Sequence, residues 1–293
     1  MNTRGDFLET VALAALVPAA PRFPTGLRKP PRLARGDRVG LVAPASPPTG
    51  DDIRQAVAHV ESLGLVPVLG DHVEGQNGYL AGTDAERAAD FNRMAADRQI
   101  RAIVAIRGGY GTMRILTRLD YAALARDPKI VLGYSDVTAI LNAVAVRSRI
   151  VTFHGPVGAH GSSWSGEARL LIERLLFAGE APGRLKVGPP IVPGRARGRL
   201  AGGNLSLIAA LVGTPYAVPA QDSLLFFEET QEQPYRIDRM LTQLDLAGVL
   251  RAASGILVGR CVKCAADGPS QSADAVIAER LRSAGRPAAP GAL

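Results

Sequence analysis

Between residues 38 and 150 the chain repeats one pattern: a short apolar run, a turn, then a stretch with helical periodicity. The runs at 39–43, 65–69, 103–106 and 130–132 show no polar face. A strand without a polar face is buried on both sides, and strands joined through helices lie parallel. The pattern therefore predicts an α/β fold with a doubly wound parallel sheet. Helices are expected at 51–63, with Ile53, Val57 and Val60 on one face; at 84–97, opened by the capping box of Thr83 and Glu86; at 113–119; and from Asp136, where Val137, Ile140, Leu141 and Val144 form a stripe. In such a sheet ligands sit beyond the carboxyl ends of the strands.

After His154-Gly155-Pro156 the pattern changes. A helix is expected at 167–177, and an irregular crossing rich in Pro, Gly and Arg at 182–199. A second, smaller unit begins near Leu200, with helices at 205–212, 235–246 and 273–283 and strands at 224–227 and 255–258. The expected divisions are 1–35, 36–165, 166–199 and 200–293. The first lies outside the fold. Thr3-Arg4-Gly5-Asp6-Phe7-Leu8-Glu9 ahead of an apolar stretch resembles a twin-arginine export leader with Gly5 in place of the second Arg. Asp6 and Glu9 cancel its charge, so a relic or tail is the expectation; a working leader would deliver the chain to the periplasm. Pro21, Pro24, Pro30 and Pro31 read as a stiff linker.

Composition removes several classes of function. The 34 basic and 27 acidic residues leave a formal charge of +7. The basic residues are mostly Arg, spread along the chain without interleaved aromatics, so nucleic acid is not an expected partner. No apolar run reaches the roughly 18–20 residues of a membrane span, so no integral membrane segment is expected. Cys261-Val262-Lys263-Cys264 offers two ligands where a structural zinc takes four, and His59, His72, His154 and His160 show no matching spacing. Neither metal nor cofactor is expected.

Four places could carry chemistry. Gly133-Tyr134-Ser135-Asp136 joins a buried strand to an amphipathic helix. It resembles a nucleophile elbow, with Val137 where the last Gly would stand; from spacing alone an ordinary Ser or Asp cap is the commoner reading. Arg107-Gly108-Gly109-Tyr110-Gly111 also follows a strand, and its glycines permit a close backbone approach to a ligand or simply a tight connection. Glu228 ends an apolar strand, where it could orient a histidine or merely face water. His154 lies at a strand end, as a base or as a hydrogen-bonded structural side chain.

Taken in order, Val42-Ala43-Pro44-Ala45-Ser46, Arg107-Gly108-Gly109-Tyr110-Gly111, Gly133-Tyr134-Ser135-Asp136-Val137-Thr138-Ala139, Phe153-His154-Gly155-Pro156, Gly202-Gly203-Asn204-Leu205 and Glu228-Glu229 with Pro234-Tyr235-Arg236 resemble the LD-carboxypeptidase family of serine peptidases. This is the muramoyltetrapeptide carboxypeptidase group, which also holds microcin self-immunity proteins. The resemblance implies hydrolysis of the L,D bond to the terminal D-alanine of murein tetrapeptides in cytoplasmic peptidoglycan recycling. It further implies a Ser–His–Glu triad without metal or cofactor, an N-terminal α/β domain, a smaller β-rich C-terminal domain, a groove between them, and homodimers. By position, Ser135 matches the nucleophile and Glu228 the triad carboxylate. The backbone N–H groups of Asp136 and Gly109 match the oxyanion hole, and Arg107, Gly108 and Tyr110 the substrate-binding segment.

The family's triad His sits in a Phe-Gly-His-like segment that no position here matches. Residues 286–293 read as the approach to it. The expectations are therefore a C-terminal domain that is incomplete, with an unpaired sheet edge, and little turnover by the 293-residue form. Alternative readings are a non-catalytic murein-peptide-binding relative and an amide hydrolase acting on a microcin-like peptidyl nucleotide.

Overall fold

A computed structural model describes residues 20–159, 164–184 and 187–291. The leader-like stretch up to residue 19 and His160 lie outside the described residues.

Five short strands build the first sheet: β1 (Arg38–Val42), β2 (Val66–Leu69), β3 (Ile100–Ala105), β4 (Ile130–Gly133) and β5 (Phe153–His154). Their order is β2-β1-β3-β4-β5, and every pair is parallel. The chain leaves β1 toward one edge and returns on its other side as β3. Loops at that reversal diverge and open a crevice at the carboxyl ends of the strands.

The helices are α1 (Gly50–Ser62), α2 (Asp84–Ala96), the short α3 (Thr112–Ile115), α4 (Tyr121–Arg126) and α5 (Thr138–Arg147). Both long early helices start with reciprocal caps. Thr49 accepts from the Asp52 N–H while Asp52 accepts from the Thr49 N–H, and Thr83 and Glu86 repeat the arrangement. Alternate strand residues serve opposite cores. Ile103, Ala105 and Val131 meet Phe91 and Met94 of α2 and Ile140 and Val144 of α5. Val39, Leu41 and Leu132 meet Val60 of α1, Trp164 and Leu176. This double burial explains why β1, β3 and β4 read as apolar throughout, whereas β2, expected to be buried as well, is an edge strand with Val66 and Leu69 exposed.

Beyond α6 (Gly166–Ile172), a second parallel sheet runs β6 (Arg199–Asn204), β7 (Ser223–Thr230), β8 (Gly255–Val262) and β9 (Ala288–Pro290), in that order. Its connections carry α7 (Leu205–Ala210), α8 (Pro234–Leu246), α9 (Val249–Ala252) and α10 (Ala273–Ala284). The fold is thus α/β with two parallel sheets, the second smaller.

Two expectations change. The edge beside β8 is not bare: β9 pairs with it, and β9 is flanked by the Pro-rich crossing. Gly188 and Ile191 donate their N–H groups to Pro290 and Ala288, each at 2.8 Å. The segment from residue 20, which reads as linker, docks on both units. Gln221 donates to the Pro21 carbonyl at 3.0 Å, Arg28 exchanges backbone bonds with Arg149 and Val151, and Leu33 is buried in the first unit. Its prolines removed the periodicity that would have shown this.

The two sheets meet at α5. The Asn204 N–H donates to Thr138 Oγ1 at 3.0 Å, and Asn142 Nδ2 donates to the Gly202 carbonyl at 3.1 Å. Gly203 makes the approach possible: its φ is +137°, and a Cβ there would lie 2.5 Å from Thr138 Cγ2. Gly203→Ala is expected to cost at least about 2 kcal/mol of stability, because both backbone strain and overlap act at once. Urea unfolding measures it.

Candidate active site

The carboxyl ends of β1, β3, β4 and β5 converge with those of β6 and β7. Ser135 follows β4 and has φ +59°, a conformation that costs a non-glycine residue about 1–2 kcal/mol. A side chain there is lifted out of the strand-to-helix turn. Gly133 allows the turn, since a Cβ on it would meet Val137 Cγ1 at 2.7 Å. Ser135 opens a 3-10 turn (Ser135–Val137) that feeds α5, and the N–H groups of a first helical turn have no intrahelical acceptor.

The turn is held from beside it. Thr112 donates its N–H to Asp136 Oδ2 at 2.8 Å and its hydroxyl to the Asp136 carbonyl at 2.5 Å. Burial pushes the Asp136 carboxyl up, and hydrogen bonding from Thr112 together with the charge of Arg87 opposes the shift. The Asp136 side chain is thus a brace, leaving its backbone as the candidate oxyanion donor.

The Gly-rich loop lies against Ser135. A Cβ on Gly108 would stand 3.1 Å from Ser135 Cβ and 3.3 Å from its Oγ. Gly109 has φ +122°, and any side chain there would overlap the Ser46 hydroxyl. That hydroxyl accepts from the Tyr110 N–H at 3.1 Å. Arg107 turns toward the segment after β1, donating to the Pro47 carbonyl at 3.1 Å and lying 3.8 Å from Asp52. Tyr110 is exposed and packs edge-on against Tyr79, ring centroids 5.5 Å apart.

Sequence reasoning missed Arg87. This fully buried side chain donates to the Pro44 carbonyl and, at 3.0 Å, to the Gly111 carbonyl, and pairs with Asp84 at 2.5 Å. It joins the loop after β1 to the loop after β3. A signal existed: Arg87, Phe91 and Met94 fall on one helical stripe, so a cation stands on a core face.

On the other wall, Glu228 and Glu229 separate. Glu229 is buried and satisfied, accepting from Asn204 Nδ2 (2.9 Å), the Ser206 N–H (2.9 Å), the Ser206 hydroxyl (2.7 Å) and the Thr230 N–H (2.8 Å). Glu228 sits at a register shift between β7 and β8, the kind of irregularity that re-aims a side chain beside a site. Its Oε1 lies 3.7 Å from His154 Nε2. Burial, and then the charge of Glu229, raise the Glu228 carboxyl from 4.5 to about 7, with Asn204 opposing. Burial lowers the His154 imidazole from 6.5 to about 4. At neutral pH His154 is therefore uncharged and the contact is not an ion pair.

The other candidates fall elsewhere. His59 stacks on Trp164, and His72 bonds Asp90. Burial and then Cys264 push the Cys261 thiol up to about 12, away from the reactive thiolate range. Among the described residues no cluster of three or more His, Cys, Asp or Glu could hold a metal ion, and no helix is long and apolar enough to cross a membrane.

Comparisons with known proteins agree with this layout. The LD-carboxypeptidase N-terminal domain matches residues 39–155, and the LD-carboxypeptidase C-terminal domain matches 197–292. A probable murein peptide carboxypeptidase of Bacillus subtilis is 40% identical over 90% of this chain and 85% of its own. The solved muramoyltetrapeptide carboxypeptidase of Oxalobacter formigenes aligns over 87% of both chains with TM-score 0.70 and 26% identity. A structure of MccF with glutamyl sulfamoyl guanosine shares the fold, with TM-score 0.78 over 91% of this chain and 90% of that one at 23% identity. Matched along both of its domains and by a relative 40% identical, the chain belongs to the LD-carboxypeptidase family.

Proposed function

We propose that the protein is a serine LD-carboxypeptidase that removes the terminal D-alanine of murein tetrapeptides. The carrying observation is the strained Ser135, raised at the sheet edge against Gly108. In this reading the Ser135 oxygen attacks the carbonyl of the L,D bond, and the oxyanion receives the N–H groups of Asp136 and Gly109. The C–N bond breaks and D-alanine leaves with a proton. Water then releases the tripeptide. The Ser135 proton passes to the departing amine; the imidazole that would carry it, oriented by Glu228, is the family's triad His, which no position here matches. Arg107 and Tyr110 shape the mouth, and assembly as a homodimer belongs to the same reading.

A substrate panel tests it. Murein tetrapeptide, the same peptide ending in L-alanine, and a peptidyl sulfamoyl nucleoside are each incubated with the full chain. Little turnover is expected of the 293-residue form, with free D-alanine from the first alone as its product. Cleavage of the nucleoside conjugate only would point to the peptidyl-nucleotide activity, and tight tetrapeptide binding without cleavage would point to a binding protein.

A further inference from the structure

The Ser135 chemistry leaves one side chain unexplained. His154 ends β5, opposite Gly133 in the ladder, one strand over from the elbow. Its ring is gripped by two edge contacts, Phe226 at 5.1 Å and Tyr134 at 6.2 Å between centroids. Its Nδ1 is buried without a hydrogen-bond partner. Glu228 Oε1 is likewise buried and unpartnered. An unsatisfied buried polar atom costs about 1–3 kcal/mol. Yet Glu228 Oε1 and His154 Nε2 face each other at 3.7 Å, less than an ångström beyond a normal hydrogen bond. Contacts of this type commonly tighten when substrate closes the site.

We propose that His154 is a positioning residue for Glu228: its neutral imidazole carries the proton on Nε2, donates it to Oε1, and fixes the carboxylate in the direction the triad requires. Placing the proton on Nε2 leaves Nδ1 as a lone pair rather than a stranded N–H. His154 is not the base. No side chain among the described residues hydrogen-bonds the Ser135 hydroxyl, and an imidazole held near 4 is a weak proton acceptor. Around Glu228, Glu229 repels it, Asn204 opposes its upward shift, the Tyr134 phenol is pushed up by burial and by Glu228, and Gly259 of β8 backs it without a side chain; the unpartnered Oε1 is the atom that faces His154. Only the kinetic consequence rests on the hydrolase reading; the contact does not.

The test uses the full chain with His154→Phe and His154→Gln. Carbon-13 carboxyl NMR follows Glu228, nitrogen-15 NMR follows the wild-type imidazole, and D-alanine release is measured from pH 5 to 9. Losing the donor disfavours the ionised carboxylate. In His154→Phe the Glu228 titration is expected to move up by about one pH unit, with kcat down about tenfold at pH 7 and KM within about threefold. The acid limb of the rate profile should move with it. His154→Gln, which keeps a donor, should recover most of both. Should Phe fail to fold, Gln and the wild-type imidazole still decide the matter, through proton placement on Nε2 and its response to Glu228→Gln. An unmoved Glu228 titration, or a wild-type proton on Nδ1, overturns the proposal. So does a fall in kcat without any shift of the pH profile. If the titration moves as expected but no murein peptide yields D-alanine, the contact stands and the substrate reading fails.

Discussion

Ser135→Ala is expected to lower kcat for D-alanine release by up to about 10³-fold, and by less in a form whose triad lacks its imidazole, while leaving KM within a few-fold. The argument is geometric. The Ser135 backbone is held at positive φ by Gly133 behind it and by the Thr112–Asp136 brace beside it, none of which depends on the hydroxyl. Removing Oγ therefore deletes the proposed nucleophile and spares the groove and the proposed oxyanion donors. The melting temperature should change little. Any residual rate should come from water attacking a carbonyl still polarised by the oxyanion donors. Steady-state kinetics with mass-spectrometric detection of D-alanine checks this, and wild-type turnover by the variant would remove Ser135 from the mechanism.

Glu228→Gln carries the second large effect, and it has two opposite signs. For activity, loss of the proposed orienting carboxylate should cost up to about 10³–10⁴-fold where a triad imidazole is present for it to orient, the scale seen when a triad carboxylate becomes an amide. For stability the change should help. The native carboxyl is raised from 4.5 to about 7, so it holds a proton that the unfolded chain gives up at lower pH. That stabilising contribution is fully present below about pH 4.5 and is lost as pH rises toward 7. Gln never ionises. The variant should therefore match the wild type near pH 4 and exceed it by about 1–3 kcal/mol at pH 8. His154 has the opposite sense. Its imidazole is lowered to about 4, so its contribution is present above about 6.5 and lost as pH falls toward 4. Between these limits the two slopes offset each other in the wild type, and Glu228→Gln exposes the His154 slope alone. Denaturant unfolding across pH 4–8 reads both. Catalysis that requires ionised Glu228 should also rise through pH 7.

Much of the first unit was readable from residue order. Strands buried on two faces are apolar at every position, and the Thr83–Glu86 cap marks its helix directly, so β1, β3, β4 and α2 follow from pattern alone. The elbow was readable because glycine and serine stand between a buried strand and an apolar helix. What escaped were contacts between distant segments. Arg87 reaches two loops through backbone carbonyls, which leave no trace in side-chain identity. Strand β9 is three residues long with two alanines and a proline, so neither length nor β-branching announces it. The docking of Arg28 and Leu33 follows from two backbone exchanges and one buried side chain within a Pro-rich stretch. Nor could any pattern in sequence show that Glu228 and Glu229, adjacent and identical, differ in their roles. The register shift at β8 leaves one satisfied within the sheet and the other facing His154.

The most direct test is acid-quenched mass spectrometry of the full chain mixed with murein tetrapeptide, followed by peptide mapping. The expected result is release of D-alanine together with a transient adduct on the peptide containing Ser135, equal to the substrate minus D-alanine and absent from Ser135→Ala. Release of D-alanine with the adduct on another residue, or undiminished release by Ser135→Ala, would contradict the assignment of Ser135 as the nucleophile.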